Sequence, residues 1–469
     1  MDINLIGGAY EYRSKNINAQ VCENFFMFVD QEGGIPVSMI NTPGSKLWKY
    51  LGQQAEVRGA RVFNNYLYVI CGNTLYRVSS TKVITTIGTI GTSSGPVSMS
   101  DNGTQMIIVD GSTTGYIFES GALSEITDDE FPGADVVQFN DGYFLINQPG
   151  TDYWWVSGLY DGNSWDALTV GTAEYLPDAT VSILVDHDEV LNFGEKTVEP
   201  FRNIGDPDFP YEKIDGALME MGCAAAFSPA KIDNSVFWLN DRDQIVRLEG
   251  YTPKIISTRQ IEYQISKYSK VDDAIGFTFY LEGISFYCLT FPTANETWLA
   301  NAFTGMISKW LSYPLIGESS SRHRANCYVK FGRTHLVGDY ENGNLYELDM
   351  ETYEDNDEII KRVRTTAPIR GKEGKQIVYP RFELEFEGGA ELSTGQGSDP
   401  FIILEWSDDS GKTWSSQEWN SLGKIGDYTN RAIWTGLGRS FERIFRITVT
   451  DPVRVVITRA LAPDAYLED

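Results

Sequence analysis

The stretch RVFNNYLYVICGNTLYRV, residues 61–78, decides the fold. Tyr66, Tyr68 and Ile70 alternate with Leu67 and Val69, so the strand is apolar on both faces. Cys71-Gly72-Asn73 then turns the chain into Leu75-Tyr76-Arg77-Val78. A strand with no polar side is one covered on both sides. The same strand, turn and strand recur in QMIIVDGSTTGYIF (105–118), GYFLINQPGTDYWWVS (142–157), VLNFGEKTVEPF (190–201), SVFWLNDRDQIVRLEG (235–250), SFYCLTFPTANETWLANAF (285–303) and HLVGDYENGNLYELD (335–349). A polar turn opens each copy, near Asn65, Asn102, Asp141, His187, Asn234, Glu282 and Gly332, and the turns lie 37 to 50 residues apart. One four-stranded propeller blade per repeat needs about that length. The sequence therefore predicts an all-β chain with a seven-bladed β-propeller over residues 59–360, its count open by one blade either way.

The flanks read differently. Residues 1–58 predict an N-terminal arm with a hairpin at Gly33-Gly34 and a turn at Thr42-Pro43-Gly44, placed to close the ring. The longest insert of the repeats, residues 202–223, predicts a short helix around Ala217 to Met221. The acidic run METYEDNDEIIKRVRT, from Met350, breaks the pattern and reads as a solvated linker or the outermost strand of the last blade. Beyond it, longer and more strictly alternating strands predict a small β-sandwich over 361–469.

The chain of 469 residues has a net charge of −27, from 65 acidic and 38 basic side chains. That balance repels phosphate and excludes a broad basic nucleic-acid-binding face. Five cysteines (Cys22, Cys71, Cys223, Cys288 and Cys327) are far apart, odd in number and mostly set in apolar strands, as expected of reduced thiols in a cytosolic fold. MDINLIGGAYEYRSKN has no signal-peptide core, and no apolar run is long enough to cross a membrane. A soluble chain, folded in a cytosol, is the expectation.

Catalytic constellations are missing from the sequence. The three histidines (His187, His323 and His335) are solitary, and HExxH, CxxC and a phosphate-cradling loop do not occur. The expectation is a chain without enzymatic activity, metal or cofactor. One motif stands out: SDDSGKTW matches the Asp-box pattern through Ser407, Asp409, Gly411 and Trp414. An aspartate that takes up turn amides, a permissive glycine and a tryptophan packed beneath make a stable hairpin. The box resembles those of sialidase propellers, where it stabilises turns away from the chemistry, and here it predicts a structural turn. A glycan-binding or sialidase-like propeller is the alternative, with Trp154, Trp155, Trp165 and Trp238 as sugar-stacking candidates.

Three segments carry a family resemblance. They are Asn24-Phe25-Phe26 through Thr42-Pro43-Gly44; Phe193-Gly194-Glu195-Lys196-Thr197-Val198-Glu199-Pro200-Phe201; and Trp434-Thr435-Gly436-Leu437-Gly438-Arg439 with Phe445-Arg446-Ile447 and Asp451-Pro452-Val453. Through them the chain resembles the packaged-DNA stabilisation proteins, or tail accessory and hub proteins, of short-tailed bacteriophages. The resemblance implies a non-catalytic virion protein that forms a ring, six copies by analogy, below the portal and its adaptor. Such a ring extends the DNA exit channel, contacts the needle or plug, and anchors tailspikes or fibres. DNA would pass without specific binding, past carboxylates that offer it no counterion-releasing contact. A tail nozzle of another phage type and a cellular scaffolding propeller are the remaining alternatives. Electron microscopy of the particle separates these readings: a ring on the tail axis is the expected outcome, and a monomer bound to no phage protein contradicts it.

Overall fold

A computed structural model describes residues 1–30, 36–172, 178–313, 319–388, 394–424, 431–463 and 465–467. Among them the strand-turn-strand copies build seven four-stranded antiparallel units. Five are separate sheets, spanning 57–89, 98–125, 137–172, 180–213 and 230–255. The sixth, 275–309, is one end of a ten-stranded sheet. The seventh takes three strands from 325–349 and its fourth from the N-terminal strand Gly44–Tyr50, which pairs antiparallel with Asn344–Asp349.

The turns follow from local stereochemistry. Asn65, Asp141, His187, Asn234 and Glu282 all have φ between 48° and 65° at the tip of their hairpins. Asn and Asp tolerate this left-handed conformation best among residues with a Cβ, and it matches the twist of the flanking strands. The interleaved strands are dry on both sides. Ser235–Leu239 and Ile284–Phe291 are buried at every position. Each unit packs its apolar side chains on the next, as Phe63, Tyr68 and Ile70 of unit 1 do on Met106, Ile108 and Phe118 of unit 2.

Hydrogen bonds step around the circle in the same order. Val97 N–H donates to Arg58 O at 3.3 Å, Val137 N–H to Ser98 Oγ at 3.1 Å, Asn147 Nδ2 to Val181 O at 3.2 Å, Ser182 Oγ to Ala226 O at 2.7 Å and Thr278 Oγ1 to Lys231 O at 2.8 Å. Phe277 of unit 6 stacks on Tyr328 of unit 7. Asn326 Nδ2 of unit 7 then reaches Val57 O of unit 1 at 3.0 Å, which completes the ring.

The C-terminal strands form two facing sheets. One holds Arg381–Gly388, Arg431–Thr435 and Val455–Leu461, and the other Arg362–Thr365, Phe401–Ser407, Glu418–Ser421 and Glu442–Val449. Phe382, Leu384, Phe386, Leu404, Phe445, Ile447 and Ile457 fill the space between them. The N-terminal segment, through Asn41, joins this sandwich rather than forming a free arm. The hairpin Phe25–Val29 with Val37–Asn41 extends the first sheet through Met39↔Ile457, while Cys22–Glu23 bridges Arg362–Thr365 to Ile307–Lys309 of unit 6. The expected turn at Gly33-Gly34 lies outside the described residues.

One local expectation is corrected. Residues 217–221 are irregular backbone tied by the Val198↔Met219 bridge, and the helix lies instead at Arg259–Ile265, capped by Thr258, with Ile261 and Ile265 buried at i, i+4 spacing. The acidic run after Met350 takes the second of its two expected forms: Glu354–Asp355 and Glu358–Ile359 add short outermost strands to the unit 7 sheet, and Asp355, 3% exposed, pairs with Ser45 of the closing strand.

Gly44 begins that closing strand where two backbone segments meet. A Cβ on it would fall 2.2 Å from Thr352 O and 2.6 Å from Glu354 O. Gly44→Ala should therefore lower stability by about 1–3 kcal/mol, measured by urea unfolding, and an unchanged midpoint would show that the close approach is relaxed in solution.

Candidate functional site

The chemistry-bearing side chains converge on the seam between unit 6, unit 7 and the sandwich. Asn24, fully buried with φ 54°, is its centre. Its Nδ2 donates to Leu311 O at 3.0 Å and Lys361 O at 2.8 Å, its Oδ1 accepts from Leu311 N–H at 2.8 Å, and its own N–H donates to Lys309 O at 2.9 Å. One side chain thus ties the N-terminal segment, the end of unit 6 and the link to the sandwich.

Two buried arginines extend the tie. Arg364 Nε donates to Leu5 O at 2.5 Å and Nη1 to Gly8 O at 2.7 Å, which fixes the extended N-terminus along the second sheet. Arg362 Nη2 donates to Tyr353 O at 2.9 Å and Nη1 to Asp451 O at 3.1 Å; burial pushes its pKa down to about 10. Guanidinium groups suit this work because they carry five donors in a rigid fork.

Asp355 anchors the unit 7 side. It accepts from Arg324 Nε at 2.7 Å, Ser312 Oγ at 2.9 Å and Ser45 Oγ, while Arg324 Nη2 also meets Glu358 at 2.5 Å. Burial pushes the Asp355 carboxyl up, but His323, Arg324 and these hydrogen bonds outweigh it and hold the group below the usual carboxylate range.

A cleft of about 420 Å³ opens beside the seam, lined among others by Glu23, Tyr313, Lys361, Glu405, Trp414 and Arg446. Its polar groups are largely engaged with one another. Tyr313 OH donates to Glu23 at 2.8 Å, Arg446 meets Glu405 at 2.8 Å, and the Arg446 guanidinium lies 3.8 Å from the Trp414 ring centre. Burial still raises the Glu23 carboxyl.

The Asp-box residues come together as a turn. Ser407 Oγ donates to Asp409 at 2.7 Å and accepts from Gly411 N–H at 2.8 Å; Asp409 accepts from Lys412 N–H and Thr413 N–H, both at 2.9 Å, and from Thr413 Oγ1 at 2.6 Å. These bonds, the Thr413 hydroxyl foremost, hold the Asp409 carboxyl far below its usual range. Gly411 has φ 79°, and Trp414 lies under Arg446 on the cleft wall.

Other candidates are not assembled into a site. His187 is exposed beside Asn234, His323 is buried and stacked 3.5 Å from Trp310, and His335 contacts Tyr328. Trp154, Trp155, Trp165 and Trp238 are 0 to 9% exposed, so they belong to the core and are closed to sugars. Cys22, Cys71, Cys223 and Cys288 are buried and free. Among the described residues no group of three or more His, Cys, Asp or Glu side chains is placed to hold a metal, and no helix is long and apolar enough to cross a membrane.

The sequence reading missed Asn24, Asp355, Arg362 and Arg364 as anchors. The alternating Arg-Val-Arg of 362–364 was the available signal. It also missed Asp178, whose carboxylate accepts from Lys196 N–H at 2.7 Å and Thr197 N–H at 2.8 Å, with Gly194 so close that a Cβ would lie 2.4 Å from that carboxylate. This explains why glycine and threonine occur in the Phe193–Phe201 strand pair.

Comparison with known proteins covers nearly the whole chain. A family model described as "Bacteriophage P22 Gp10, beta-propeller" matches residues 1–353, and one described as "Bacteriophage P22 Gp10, beta-sandwich" matches residues 362–463. No curated protein matches. Among solved structures, the WD40 β-propeller domain of Doa1 is 12% identical over 66% of this chain and 97% of that one, with a TM-score of 0.43. The computationally designed Ika8 protein is 12% identical over 73% of this chain and 100% of that one, with a TM-score of 0.38.

Two substitutions test the seam. Asp355→Asn leaves Arg324 buried against a neutral partner and should cost about 3–5 kcal/mol at pH 7. Because the folded carboxyl titrates below its free value of 3.8, its contribution is complete above that pH and lost as pH falls through the folded pKa. The gap between wild type and variant should therefore close on acidification below about pH 4, read by denaturation at stepped pH; a gap independent of pH would contradict the assignment. Asn24→Ala strands Leu311 and Lys361 backbone groups and should cost about 1–3 kcal/mol by the same measurement.

Proposed function

The chain belongs to the bacteriophage P22 Gp10 family, a structural family of the phage tail, and on that premise we propose that it is a ring-forming hub of the virion tail. Copies of it, six by analogy, stand below the portal and adaptor, extend the DNA exit channel, help retain the packaged genome, and anchor a plug or needle and tailspikes or fibres. The seven four-stranded units are read as seven blades. In this division the propeller runs from Gly44 to about residue 360, and the sandwich spans 361–469 with the N-terminal segment up to Asn41 woven into it.

The observation that carries this reading is the seam. Ring and sandwich share one ten-stranded sheet through Cys22–Glu23, and one apolar core runs from Tyr287 and Trp298 of unit 6 through Phe25 to Phe445 of the sandwich. A protein that transmits load along a tail axis needs its parts rigidly coupled, and a shared sheet with a shared core supplies that. The self-paired charges of the cleft and the Asp-box turn support the same structural role for Ser407, Asp409, Gly411 and Trp414. They act as staples on the sandwich side of the seam, with no catalytic or cofactor-binding part.

Cryo-electron microscopy of the intact particle, with symmetry left free during reconstruction, tests the proposal. The expected outcome is a closed ring of this chain on the tail axis, next to the portal complex. Density for a single copy, or for copies away from the axis, overturns it.

A further inference from the structure

Between Lys82 and Lys196 the chain contains no lysine or arginine, while carrying 18 aspartates and glutamates. Units 2 and 3 lie wholly inside this stretch, with the first two strands of unit 4. Three steps around the ring in either direction from unit 6, where the sandwich attaches, lead to units 2 and 3. The uncompensated charge is thus a wedge opposite the sandwich. Among the described residues, a single lysine or arginine reaches these carboxylates in an ion pair, Arg61 with Asp101.

Charge alone would fit a surface that keeps DNA away, but the wedge also exposes apolar side chains. Leu159, Tyr160 and Leu168 are 58, 63 and 85% exposed on the hairpin formed by Tyr153–Gly158 and Asp161–Thr172. They sit on a fixed support. Tyr160 N–H donates to Gly142 O at 2.6 Å, Asp128 accepts from Trp165 N–H at 2.9 Å, and Phe131 packs edge-on against Trp165. The last two contacts hold the acidic run Asp128-Asp129-Glu130 beside the hairpin. A surface that only repels phosphate gains nothing from exposed leucines, whereas a docking surface gains its core from them and its partner choice from the surrounding charge.

We propose that this hairpin and the 128–130 loop dock a virion protein other than this chain, whose surface presents lysine and arginine around an apolar recess. A second copy does not supply that chemistry, since residues 361–469 carry 15 basic against 16 acidic side chains and residues 1–360 are acidic overall. The inference rests on the chain's place in the virion.

The test places a photoreactive residue at Leu168, and separately at Leu159, in assembled particles. The expected product is a cross-link to a different virion protein, within a segment holding more lysine and arginine than acid. Asp129→Lys with Glu130→Lys, both exposed positions, should lower its yield about tenfold while the thermal midpoint of the purified chain stays unchanged. Cross-links to DNA, to a second copy or to an acidic segment overturn the proposal, as do particles that carry the chain without any cross-link, or a yield insensitive to the charge reversal. Particles lacking the chain overturn its virion role, and this docking role falls with it.

Discussion

Everything in this molecule depends on one pairing, the antiparallel contact of Gly44–Tyr50 with Asn344–Asp349. It joins positions about 300 residues apart, a closure that costs roughly 5 kcal/mol in chain entropy before any other term. The offset comes from dry interfaces between neighbouring units, which exist in full only when every unit has two neighbours. Opening the ring between units 7 and 1, for instance, exposes Leu336 and Leu345 on one side and Val57 and Val69 on the other. Closure is what makes the units one cooperative body.

The same constraint accounts for the course of the chain from Met1 to Tyr50. A strand that completes unit 7 must arrive from somewhere, and the segment before it arrives through the sandwich, pinned by Arg364 and Asn24 on the way. The ring is locked by a segment that is itself locked elsewhere. Buried guanidinium groups suit this crossing because several backbone carbonyls, among them those of Leu5, Gly8 and Tyr353, meet there within reach of their forks, and a buried carbonyl left without a donor would be costly.

The period of the strand pairs and the Asn, Asp and Gly at their tips were legible because they are local: an alternation, a left-handed turn, a spacing. The Asp-box turn was legible for the same reason, since Ser407, Asp409, Gly411 and Trp414 fall within one short run. The seam was not, because its members are distant in sequence. Asn24 meets Leu311 and Lys361, and Asp355 meets Ser45 and Ser312. Nothing near Asp355 in the run YEDNDE distinguishes the one carboxylate that is buried from those that are wet. The helix at Arg259–Ile265 was hidden by its brevity, with two apolar positions too few to show a period.

The woven N-terminus also sets a timetable for synthesis. The hairpin of Phe25–Val29 with Val37–Asn41 leaves the ribosome early, but Val455–Leu461, the sheet partner of its second strand, is among the last segments made. At about 5–20 residues per second, the hairpin waits roughly 20 to 90 s for that partner. During this time an apolar strand with an open edge is available to any neighbour, including the same strand on a nearby nascent chain. The chain thus trades a vulnerable infancy for a finished state in which strands of its first fifty residues are held by partners made hundreds of residues later.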